Sequence, residues 1–96
     1  MTLDESYDDL MKVFSEIESE DDMKALFQDI FTEAEIKDFT IRWKLMNDLI
    51  EGKAQRKIAS DLKISLCRIT RGSKMLKKKD GYVSRLLHDR IDETHR

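Results

Sequence analysis

The 96-residue chain has no proline, three glycines and one cysteine. Without proline, nothing covalent forces a segment out of a helix. With glycine limited to Gly52, Gly72 and Gly81, tight turns have few places to sit. A lone Cys67 excludes an intrachain disulfide, which suits a reducing compartment. No apolar run approaches the length of a membrane span, and no signal-peptide pattern opens the sequence. The expectation is therefore a soluble, cytoplasmic protein with no membrane partner. Strand-type alternation is also missing, whereas several stretches carry apolar residues at helical spacing, so an all-α class follows. The length predicts a single domain over 1–96 with a limited core. Charged residues reach 40%, so either the surface is heavily charged or a partner chain supplies core.

What is abundant is charge, and it is unevenly spread. Residues 1–35 hold 12 acids and two bases, whereas residues 36–79 hold 13 bases and four acids. The overall net charge of −2 conceals this. Between Lys53 and Lys79 there are ten bases and a single acid, Asp61. Cations clustered over one element form the electrostatic footprint of a polyanion site; the plainer alternative is a solvated helix face.

That block coincides with the stretch Ala54–Ser73, AQRKIASDLKISLCRITRGS. It reads as a helix-turn-helix over about 54–73: a helix from Ala54 to Leu62, a turn at Lys63-Ile64, and a second helix after an N-cap Ser65. Ile58, Leu62, Ile64 and Ile69 fall where two crossed helices pack, and the small Ala59 falls where they come closest. The positions left outward are Gln55, Arg56, Ser65, Leu66, Cys67, Arg68 and Arg71, a set suited to the major groove. Lys63 stands where glycine is the easy choice. Two ordinary amphipathic helices in a bundle remain the alternative.

Around it the sequence predicts four further helices, six in all. The first starts at an N-cap Ser6 and reaches about Glu18, with Tyr7, Leu10, Met11, Phe14 and Ile17 on one stripe; residues 1–5 are expected to fray. The second follows Ser19-Glu20-Asp21-Asp22 and ends near Phe31. Thr32 and Glu35 form a capping box for a long third helix to about Glu51, apolar on two faces and hence central, with Trp43 in the core and Gly52 as its stop. Asp80-Gly81 is a turn before a last helix carrying Tyr82, Val83, Leu86, Leu87 and Ile91. Lys74, Lys77, Lys78 and Lys79 suit phosphate contacts or a helix C-terminus.

The segments Phe31-Thr32-x-x-Glu35, Ile41-Arg42, Leu49-Ile50-x-Gly52, Gln55-Arg56 and above all Ile69-Thr70-Arg71-Gly72-Ser73 resemble the bacterial tryptophan repressor family, most clearly from about Phe31 to Leu76. The resemblance implies a six-helix fold with a helix-turn-helix in an interlocked homodimer. It implies L-tryptophan as corepressor and double-stranded operator DNA as partner. Carried over, Arg42 and Arg71 lie on the two faces of the ligand indole, one of them pairing its carboxylate, with Thr32, Gly72 and Met75 also at the site. On the DNA side Arg56 reaches a guanine edge, Gln55, Leu66, Cys67, Arg68, Thr70 and Arg71 lie near the bases, and Lys77 contacts phosphate. The chain departs from the family pattern at Met75, where serine is usual near the ligand amine. It also departs at Ala59, where the family has lysine, at Arg68, where it has a small residue, and in a shorter loop after Gly52.

The residues themselves leave alternatives open. Arg71 could be a simple phosphate contact and Arg42 a surface ion pair with Asp38. Gly72 reads as room for something to approach the backbone, or as a weak helix end. His88 and His95 lack a cysteine partner, so no metal is expected. Cys67 has no neighbouring histidine, and no glycine-rich phosphate loop occurs, so no enzyme is expected. Three functions compete: a tryptophan-dependent repressor, a same-fold DNA-binding regulator with another ligand or none, and a protein-interaction module.

Overall fold

The computed structural model describes residues 1–78 and 81–94. Lys79, Asp80 of the predicted turn, and His95 lie outside the described residues. Among those described there are six helices and no strand: α1 Leu3–Glu16, α2 Glu20–Ile30, α3 Glu33–Ile50, α4 Gln55–Leu62, α5 Leu66–Lys77 and α6 Tyr82–Thr94. The chain divides into two compact units, 1–37 and 38–96, with α3 beginning in the first and ending in the second.

In the first unit α1 starts earlier than the sequence predicts. Thr2, not Ser6, is its N-cap, accepting from the Glu5 amide at 3.1 Å. Asp4 and Glu5 in the first turn favour that start by facing the positive end of the helix dipole. Ser6 lies inside the helix and its hydroxyl donates to the Thr2 carbonyl at 2.8 Å. Ser19 caps α2 through the Asp22 amide. The predicted capping box of α3 closes in both directions: the Thr32 amide donates to Glu35 Oε1 at 2.9 Å and the Glu35 amide to Thr32 Oγ1 at 3.2 Å. Phe14, Phe27 and Phe31 make a ring chain with centroids 5.7 and 5.0 Å apart. No residue of α1 or α2 is buried, and Leu3, Tyr7, Met11 and Val13 are exposed.

The second unit holds the core. Leu45 of α3, Ile58 of α4 and Ile69 of α5 are buried together, with Leu49, Ala59, Leu62 and Ile64 packed against them. The apolar spacing around the turn therefore does what it implied. Lys63 takes the left-handed conformation, φ 55° and ψ 46°, and is the only non-glycine residue at positive φ among those described. Ser65 caps α5 by accepting from the Arg68 amide at 3.3 Å. Ala54, at the head of α4, has no side chain able to do the same, and no side-chain cap is made. The first-turn N–H groups there lack the usual partner.

One feature of this unit differs from expectation, and a second carries no signal in the sequence. Trp43, predicted in the core, is 39% exposed, with the Arg90 guanidinium 5.6 Å from its ring centroid. Asp48, which no sequence pattern singles out, is buried and held by two lysines, Lys44 at 3.4 Å and Lys53 at 3.2 Å. The Lys53 amide also donates to the Asp48 carbonyl at 3.1 Å, so this aspartate ties the segment after Gly52 to the end of α3.

Candidate functional site

Gly72 decides how α5 meets α3. A Cβ built on it would stand 3.1 Å from Leu45 Cδ2 and 3.7 Å from Leu49 Cδ1. What approaches its backbone is therefore a leucine of α3, and a side chain here would push the two helices apart. Beside this close approach lies a hollow of about 220 Å³. Its floor is apolar, from Leu45, Met46 and Met75, and Arg42 of α3 and Arg71 of α5 stand at its walls. The volume is below the roughly 300–1,000 Å³ of drug-sized sites and suits one small ring system. Four of the five residues expected at a ligand, Arg42, Arg71, Gly72 and Met75, thus share one hollow. The fifth, Thr32, belongs to the first unit, where it caps α3.

Three lining residues, Leu45, Met46 and Arg68, lie outside the set expected at a ligand, and Arg68 is the charged one. Arg68 was assigned to DNA, yet its side chain also lines the hollow, and its Nη2 lies 3.5 Å from Asp38 Oδ1 on α3. Asp38 was considered as a partner for Arg42; the ion pair it makes is with Arg68. No local pattern signals a contact between residues 30 positions apart, so sequence reasoning had no handle on it.

The remaining expected contact residues are outward. Gln55 and Arg56 are exposed in the first turn of α4, and Leu66, Cys67, Thr70 and Arg71 are exposed on α5. Thr70 Oγ1 donates to the Leu66 carbonyl at 3.0 Å, which leaves the hydroxyl oxygen able to accept. Further along α5, Arg71, Lys74, Lys77 and Lys78 surround a shallow, largely apolar depression that Met75 also lines. Such a surface can neutralise several closely spaced anionic groups. Among the described residues no group of three or more His, Cys, Asp or Glu side chains gathers, and no helix is long and apolar enough to cross a membrane.

No curated protein and no solved structure matches the chain significantly. A family model described as Trp repressor protein matches residues 5–90, nearly the whole sequence. This family consists of transcriptional regulators. With that match spanning all of α2 to α5 and most of α1 and α6, the chain belongs to the Trp repressor family.

Proposed function

We propose that the protein is a tryptophan-dependent transcriptional repressor of tryptophan biosynthesis or salvage genes, acting in the cytoplasm as a homodimer on double-stranded DNA. The observation that carries the reading is the hollow between Arg42 of α3 and Arg71 of α5. A guanidinium over an aromatic face gains about 0.5–2 kcal/mol, and its planar fork also matches a carboxylate. L-tryptophan supplies both groups. Arg42 and Arg71 flank the indole, one of them pairing the acid group, with Gly72 and Met75 lining the site and Thr32 contributing as the family resemblance implies.

The mechanism follows from which helices the two arginines stand on. A ligand gripped by both fixes α5 against α3. In a dimer this sets the pose of two reading helices at once, so that two half-sites a helical turn apart are met together. On α4 and α5, Arg56 reads a guanine edge, Gln55, Leu66, Cys67, Arg68, Thr70 and Arg71 lie near the bases, and Lys77 holds phosphate.

The test is titration of a duplex, selected from a random-sequence pool, with and without saturating L-tryptophan at fixed salt. Tryptophan should strengthen binding by about 1–3 kcal/mol, and the duplex must raise tryptophan affinity by the same factor. Arg42→Ala should weaken the ligand and leave ligand-free DNA binding nearly intact; Arg71→Ala should weaken both. Equal DNA affinity with and without tryptophan in the wild type would favour a same-fold regulator with another ligand or none. Met75 in the hollow is the feature that keeps that second reading in view.

A further inference from the structure

α5 carries four cations, Arg68, Arg71, Lys74 and Lys77, and no acid. Among the described residues Arg68 is the one of the four that pairs with a carboxylate, its Nη2 lying 3.5 Å from Asp38 Oδ1 on α3. Both residues belong to the second unit. The Arg68 backbone is fixed as well, because its amide donates to the Ser65 cap at 3.3 Å. Arg68 is the third residue of α5, and the first residues of a reading helix are those that meet base edges. Helical side chains lean toward the N-terminus of their helix, which carries this guanidinium toward that end. Yet Arg68 sits with Gly72 and Met75 on the flank of α5 that borders the hollow, not on the outward face of Cys67, Thr70 and Lys74. Where its guanidinium is aimed therefore depends on what holds it, and Asp38 holds it.

An unpaired arginine attracts every phosphate alike. One held by a carboxylate differs in two ways. Part of its charge is cancelled, so its pull on DNA of any sequence falls. Its planar fork is also oriented before DNA arrives, and an oriented fork suits the O6 and N7 acceptors of guanine. Asp38 engages one terminal nitrogen, so the other guanidinium donors remain for a base edge. We propose that Asp38 is a positioning residue for Arg68, converting it from a general phosphate contact into a determinant of one base pair of the DNA site. This rests on the DNA-binding reading above and does not depend on which ligand fills the hollow. The side chains are 64% exposed for Asp38 and 38% for Arg68, so the pair adds little stability. Its effect is on aim and charge. A carboxylate beside the reading helix also repels phosphate, so duplexes of every sequence bind more weakly than they would without it. Asp38 thus lowers general affinity and raises discrimination.

The experiment titrates three kinds of duplex at several salt concentrations and saturating L-tryptophan: the one selected from a random pool, its single-base-pair variants, and random-sequence DNA. Wild type, Asp38→Asn, Asp38→Glu, Arg68→Gln and the double variant Asp38→Asn with Arg68→Gln are compared, and far-UV circular dichroism checks that all remain helical. Asp38→Asn should tighten random-sequence DNA several-fold and steepen the salt slope by about one unit, because a cation is released. The same variant should lose about fivefold or more of the discrimination at one base pair. Arg68→Gln should lose discrimination at that same pair, and adding Asp38→Asn to it should cost no further discrimination, since the two act as one unit. Asp38→Glu should restore both the selectivity and the shallower slope. A merely structural role for Asp38 would instead weaken all duplexes alike. If Asp38→Asn leaves discrimination unchanged at every position, or does not tighten random-sequence DNA, the assignment is overturned, while selective binding by wild type keeps the regulator reading standing. If wild type prefers no duplex over random-sequence DNA, the DNA-binding reading itself falls and takes the assignment with it.

Discussion

A single missing side chain, at Gly72, sets the spacing of the helices that carry the hollow. Alanine in a helix gains up to about 1 kcal/mol over glycine, but overpacking a core costs about 1–3 kcal/mol. Here the second effect wins. The atom in the way, Leu45 Cδ2 at 3.1 Å, belongs to a leucine 3% exposed and packed with Ile58 and Ile69, so it can give way only toward the hollow that it lines. Gly72→Ala should therefore lower stability by about 1 kcal/mol, read by urea denaturation, rather than raise it. The same change should weaken any occupant of the hollow, because Gly72 lines it. The sequence marks this residue only as room for something to approach the backbone, or as a weak helix end. Which group fills the space depends on a leucine 27 positions earlier, and that is a tertiary fact.

Among the elements, the junction between α3 and α4 depends on Asp48. Its carboxylate is buried, while the two lysines it pairs with keep much of their own exposure, so they return to water when it is removed. Asp48→Ala should cost about 1–2 kcal/mol, the lost charge-assisted bonds discounted for the solvent around the lysines. Lys44→Ala or Lys53→Ala alone should cost under about 1 kcal/mol, because the other lysine remains. Thermal denaturation of the three variants checks the order. This junction also shows what could be read in advance and what could not. The helix count, the Thr32–Glu35 capping box, the Lys63 turn and the Ser65 cap are local chemistry, and residues within four positions of each other specify them. The start of α1 is local too, but two hydroxyls competed: Thr2 with Glu5 three residues on forms the cap, and Ser6 does not. Asp48, Trp43 and Arg68 were misread or missed because their partners or burial come from packing. A helical pattern records which face is apolar and says nothing of a charge drawn inward by two lysines.

The whole molecule leaves α1 and α2 without a buried residue, though both are amphipathic and carry phenylalanine, leucine and methionine. Contiguous apolar surface on this scale is uncommon on monomers. If a second copy covers it, folding and association are one event, and the melting temperature should rise with protein concentration. A helical monomer in analytical ultracentrifugation at micromolar concentration would contradict the proposed homodimer. The uncapped start of α4 has a consequence for how such a protein can be improved. Ala54→Asp would supply the missing cap and add about 0.5–2 kcal/mol of stability. On the DNA reading it would also set a negative charge beside Gln55 and Arg56, where phosphates must come close. Directed evolution that rewards heat resistance alone should therefore recover acidic or hydroxyl residues at position 54. Its acidic winners should melt later and repress worse, so survival at high temperature and gene control pull this one position in opposite directions.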